Sequence, residues 1–202
     1  MSQSETPDRP LGKRQRTFAR ILDAASRGFR ADGFDGAGVD SLAARADVTS
    51  GAFYAHMKSK AGAFDHVIRA GMENIEQTIT TLQADHGANW LARFLVRYLG
   101  QAGGAAEAVC VTAALTGDVA RADDQTRRAY AEGMARVEAA FARGLPEGDT
   151  PDGRAKAGVA FRLMIGTLSV LRAGGEAFDA ATMVDDTAQM IGRLTGLDTR
   201  VL

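Results

Sequence analysis

Apolar positions recur along most of this chain at spacings of three and four, the period of an α-helix with one buried face. Over 13–32 the residues Phe18, Leu22, Ala25 and Phe29 share a face, while Arg16, Arg20, Asp23, Arg27 and Arg30 lie off it. Asp32-Gly33 supplies a C-terminal stop. Residues 34–38 read as a glycine-spaced turn, and 39–46 as a short helix with Val39, Leu42, Ala43 and Ala46 on its apolar side. Asp47-Val48 makes a tight turn. Thr49 stands where an N-cap belongs, and a short helix to about His56 turns Phe53 and Met57 inward. Ser59 caps the next helix, whose stripe runs through Phe64, Ile68, Gly71/Met72, Ile75, Ile79 and Leu82 to an end near His86-Gly87.

Helices are expected over 89–102, 107–121, 124–143, 151–173 and 179–195, with breaks at Gly103-Gly104, at Gly117-Asp118 or Asp123, over 144–153, and at Gly174-Gly175. No segment alternates like a strand, and no repeat of about 20–50 residues is present. About nine helices result, and the fold class is all-α.

At 202 residues the chain can bury a real core, and 46% apolar with 24% charged residues is ordinary globular composition. Aromatics are only 6%, so core volume must come from Ala, Leu, Val and Met. The net charge of −1 hides an asymmetry: residues 1–60 balance at +3 and residues 61–202 at −4. Within 9–20, Arg9, Lys13, Arg14, Arg16 and Arg20 meet no acid. A basic arm on a near-neutral chain fits a partner that touches one end. Residues 1–12 are polar, with Pro7, Pro10 and Gly12, and are expected to be a disordered arm.

Cys110 is the only cysteine, which excludes an internal disulfide framework and a Cys-rich zinc site and fits a reducing compartment. The first residues lack the apolar core of a signal peptide. The most apolar late stretch, 159–171, is broken by Arg162, so no membrane helix is expected and the protein should be cytoplasmic.

Two short helices joined by a tight turn beside a basic arm form a helix-turn-helix candidate at about 37–56. The outer face of its second helix carries Ser50, Gly51, Ala52, Tyr54, Ala55 and His56, small and polar groups suited to a major groove about 12 Å wide. Tyr54 and His56 can donate to phosphates. Lys60, in the first turn of the following helix, opposes the helix dipole, which suits a helix end that serves an anion.

The run Arg20-Ile21-Leu22-Asp23-Ala24-Ala25, Phe29, Asp32-Gly33-Phe34, Leu42-Ala43, then Ala46 through Lys60, resembles the TetR family of bacterial transcriptional regulators. The match covers about residues 13–74 and includes the Tyr54-x-His56-x-x-Ser59-Lys60 pattern. The resemblance implies an N-terminal three-helix bundle over 13–74 and a larger helical effector-binding and dimerisation domain over 75–202. It implies a two-fold homodimer on a palindromic DNA operator, most simply a repressor released by a small molecule that shifts the long helix 59–85. Thr49, Ser50, Gly51, Ala52 and Tyr54 would present the recognition helix. Tyr54, His56 and Lys60 would clamp phosphates, and Arg14 and Arg16 would touch the backbone or minor groove. The chain departs from the family pattern at Asp47, where glycine is usual in the turn. It departs again at Gly38, where a capping Thr or Ser is usual and Ser41 is the available substitute, and at Met57 and Ala61.

The remaining candidates are weaker. Trp90, Phe94, Tyr98, Cys110, Tyr130 and Met134 could line a mostly apolar effector cavity, or be plain core. Cys110 could also be a sensor thiol. The last two helices, rich in Ala and Gly with Leu163, Ile165, Leu168, Val170, Met183, Met190, Ile191 and Leu194, could pair as a four-helix dimer interface. His56, His66 and His86 lack metal-ligand spacing, and no metal or cofactor is expected. No catalytic set is visible, so no enzyme is expected. Two alternatives stay open: an activator of the same fold, and an all-α small-molecule binder that has lost DNA binding.

Overall fold

The structure, a computed structural model, describes residues 12–103 and 110–200. Among the described residues the regular elements are α1 (Lys13–Gly36), α2 (Val39–Arg45), α3 (Ser50–Met57), α4 (Lys60–His86), α5 (Trp90–Leu99), α6 (Val111–Val119), α7 (Asp124–Arg143), α8 (Pro151–Gly174) and α9 (Ala180–Thr195), with short 3-10 turns between some of them. The helix starts are set by capping side chains. Thr49, Ser59, Asp123, Thr150 and Asp179 each accept a hydrogen bond from the backbone N–H three residues on.

α4 is the spine of the molecule and packs against α1, α5, α6 and α7. Near its start Phe64 meets Phe29 and Phe34 edge-on, with ring centroids 5.3 and 5.1 Å apart. Further along, α4 approaches two helices closely through glycines. A Cβ on Gly71 would sit 2.4 Å from a methyl of Val111 on α6, and one on Gly133 of α7 would sit 2.5 Å from Cγ of Met72. At the far end Trp90 is locked in the core: its ring meets Phe141 at 4.9 Å and its Nε1–H donates to the Gly144 carbonyl at 2.9 Å.

The structure extends the sequence reading at one place and corrects it at three. α1 breaks at Gly33 as expected, where φ is 73°, and one further turn beyond the kink carries it to Gly36, with Phe34 stacked back on Phe29. The buried face of α1 is Ile21, Ala24, Ala25, Gly28 and Phe29, leaving Phe18 and Leu22 at its half-buried edge. α6 starts at Val111, so Cys110 is not inside a helix but at its N-cap. Residues 1–11 of the arm expected over 1–12, and the helix start expected at 107, lie outside the described residues. Lastly, Pro151–Ala177 reaches a mean hydropathy of 1.3 and is, by length and composition alone, long enough to cross a membrane. Arg162 does not outweigh the alanines and leucines around it. The helix spends that apolar surface on the core, through Ala157, Ala160, Phe161, Met164 and Leu168.

Candidate nucleic-acid interface

The helix-turn-helix is built around one unusual backbone position. The peptide N–H groups of Ala46, Asp47 and Val48 close α2 by donating back to carbonyls of residues 42–44. The chain then reverses at Asp47, which adopts φ 51°. That left-handed conformation is costly for most non-glycine residues, and less so for Asp. Arg20 of α1 secures it: its Nη2 lies 2.5 Å from the Ala46 carbonyl, 2.9 Å from the Asp47 carbonyl and 3.0 Å from Asp47 Oδ2. Sequence reasoning placed Arg20 on a polar face and missed this role, since nothing local links it to a turn so far along the chain.

α3 is fixed by its two ends and its buried side. Thr49 Oγ1 accepts from the Ala52 N–H at 3.1 Å. Phe53 and Met57 are fully buried. Beyond Lys58, at φ 66°, the chain enters α4 at once, and the approach is so close that a Cβ on Gly62 would lie 2.4 Å from the Met57 carbonyl. What remains outward is Gly51, Tyr54 and Ala55, with Ser50, Ala52 and His56 half-buried beside them. Tyr54 is 49% exposed, unusual for a large apolar ring.

Two predicted contact residues are engaged within the protein. Ser50 Oγ is 2.6 Å from Asp40 Oδ1 and so braces α3 against α2. Lys60 Nζ lies over the Phe34 ring, 4.7 Å from its centroid, and 3.4 Å from the Asp35 carbonyl near the α1 terminus. The physical reason is that the start of α4 repels a cation, while an aromatic face and a helix C-terminus attract it. Gly38 caps α2 with no side-chain bond, and Ser41 is exposed on the first turn of that helix. Arg14 and Arg16 are exposed at the start of α1.

Of the six candidate effector residues, Phe94, Tyr98 and Cys110 line a cavity of about 370 Å³ between α1, α4, α5 and the start of α6. Trp90, Tyr130 and Met134 do not line it. A second cavity of about 400 Å³, beside Phe34, Phe64 and Asp118, touches none of the six. Tyr98 of the first cavity's lining shares a hydrogen bond of 2.8 Å with the hydroxyl of buried Thr112, and Cys110 Sγ lies 3.1 Å from the same Thr112 oxygen. Burial, with Cys110 beside it, pushes the Tyr98 phenol well above the ordinary tyrosine range. Tyr130 instead shares a 2.8 Å hydrogen bond with Thr116.

A short, rigidly held helix with a solvated outer face, set after a tight turn and beside basic residues, is the arrangement of a helix-turn-helix DNA-binding head. Residues 21–67 match the model of the bacterial regulatory proteins of the tetR family. The segment that holds the helix-turn-helix is therefore similar to the DNA-binding domain of that family. Solved structures agree over nearly the whole length. A TetR family regulator from Agrobacterium tumefaciens has a TM-score of 0.77 at 19% identity, covering 91% of this chain and 100% of that one. The reduced form of E. coli NemR has a TM-score of 0.75 at 18% identity, covering 92% and 99%. FadR from Bacillus subtilis, in complex with stearoyl-CoA, has a TM-score of 0.68 at 17% identity, covering 90% and 100%. At these identities the likeness is one of fold. No curated protein matches the chain.

Proposed function

We propose that the chain is a ligand-responsive repressor that binds a palindromic operator as a two-fold dimer and is released by a small, mostly apolar molecule. The observation that carries this reading is the pose of α3: pinned by Phe53 and Met57, capped by Thr49, and outward-facing through Gly51 and Tyr54. Such a face can lie in a major groove, with base choice falling to Thr49, Ser50, Ala52 and Tyr54 and register to phosphate contacts from Tyr54, His56 and Lys60. Ser50 and Lys60 would exchange their contacts to Asp40 and Phe34 for contacts to DNA.

One such head makes too few contacts for tight binding, whereas two in a dimer reach successive grooves about 34 Å apart. The dimer surface we assign is α8 with α9, where Val159, Val170 and Met190 are about half exposed and Gly166 has open space above it. Release requires the effector to favour a conformation that does not bind DNA. The stearoyl-CoA bound to FadR shows that a neighbour of this fold holds an amphiphile, which supports control by a bound ligand here.

The test is fluorescence anisotropy with DNA from upstream of the chain's own gene, across a salt series. Saturable binding that falls steeply with salt is expected. Tyr54→Ala and Lys60→Ala should each weaken it about tenfold, while circular dichroism stays unchanged. Wild-type affinity in both variants would refute the assignment.

A further inference from the structure

The cavity between the DNA-binding head and the body has a charge pattern that its apolar floor does not suggest. The floor is made by Leu22 of α1, Ile75 of α4, Phe94 of α5 and Val111 of α6. Asp23, Arg30 and Arg97 also line it. Asp23 is already paired, with Oδ2 2.6 Å from Arg27 Nη2 on the same helix. Arg30 is held in place by its Nε, which donates to the Ser26 carbonyl at 3.0 Å. Arg97, exposed on α5, has no acidic partner among the described residues. Arg97 therefore sets a positive charge at the edge of an apolar pit. Beside Arg97, Gln101 donates its Nε2–H to the Arg97 carbonyl at 3.1 Å, while its Oε1, shielded from solvent, accepts no hydrogen bond among the described residues. A shielded acceptor left unmatched is a cost that a ligand donor would remove.

We propose that this cavity binds an anionic amphiphile, a carboxylate carrying a nearby hydroxyl or amide N–H on an apolar chain. The anion meets Arg97, the donor meets Gln101 Oε1, and the chain lies on Leu22, Ile75, Phe94 and Val111. The inference rests on the reading of the chain as a ligand-responsive regulator and deepens it, because the site explains how occupancy reaches the DNA-binding head. α1 supplies one wall of the cavity and also carries Arg20, which holds the turn before α3. A ligand that parts α1 from α4 moves that clamp with it.

β-Hydroxydecanoate is a suitable probe, followed by isothermal titration to the full-length protein, with its methyl ester as the neutral control. Saturable binding of the acid is expected, with the ester weaker by about tenfold or more, the range of one charge-assisted contact. Arg97→Gln should weaken the acid to the level of the ester and leave the ester unchanged. Ala19→Trp, at an exposed position on the cavity wall, should block both. No saturable binding of the acid, equal binding of acid and ester, or indifference to both substitutions would overturn the proposal. Two further readouts separate it from the regulator reading. If the acid binds in an Arg97-dependent way without lowering affinity for DNA, the site stands and the release mechanism fails. If DNA binding is released by the ester and the acid alike, regulation stands and the ligand class fails.

Discussion

Asp47 and Arg20 show how a single strained residue is made tolerable. A left-handed turn costs a typical L-residue roughly 1–2 kcal/mol, and Asp47 sits there at φ 51° with its carbonyl and carboxylate both on Arg20. The pair is open to solvent, with the Asp47 side chain 99% exposed, so the clamp is worth about 1 kcal/mol rather than the full value of a charged hydrogen bond. Arg20→Ala should therefore lower unfolding stability by about that amount. The loss should shrink in an Asp47→Gly background, where the turn needs no clamp. Urea titration of the four variants checks this, and equal losses in both backgrounds would contradict it. Tyr98 gives a second test at this scale. Burial raises its folded pKa above the ordinary 10.0, so the neutral phenol favours the folded state fully below that pH, and the contribution is lost as pH rises toward the folded value. Above about pH 10 the unfolding midpoint of the wild type should fall more steeply than that of Tyr98→Phe. Parallel curves would show that the phenol is not protected.

At the scale of helices, the chain announces its elements well and its packing faces less well. Capping residues and inward pairs such as Phe53 and Met57 mark α3 and the start of α4 in sequence, and both are found where the spacing puts them. α1 is different. It packs on α2 and α3 on one side and on α4 and α6 on the other, so its buried face is broader than one stripe and moves onto Ile21, Ala24 and Gly28. Leu22 is thereby left at the edge, where it lines the cavity. Aromatic spacing could not separate Trp90, a core residue hydrogen-bonded to Gly144, from Phe94 and Tyr98, which face the cavity, because all lie on the same side of α5. Arg97 and Asp23 gave no signal either, since their placement around one cavity depends on tertiary packing. The glycine contacts of α4 carry the prediction here. Gly133→Ala forces a Cβ into Met72 and should cost about 1–3 kcal/mol by thermal unfolding. Gly117→Ala, with open space around it, should cost nothing measurable.

For the whole molecule, operator binding requires two heads held at a fixed spacing by one interface. Val159→Asp with Met190→Asp places charge on the exposed apolar surface of α8 and α9 and should give a monomer by light scattering. Affinity for DNA should then fall by much more than tenfold, because each head loses its partner's contacts. A variant that stays dimeric would place the interface elsewhere. The most direct measurement is selection of binding sites by the wild-type protein from a random duplex library at physiological salt. Enrichment of an inverted repeat whose half-sites lie about one or two helical turns apart is expected, with affinity for it lost in Tyr54→Ala. Enrichment of no sequence, or of a site bound equally by Tyr54→Ala, would contradict that expectation.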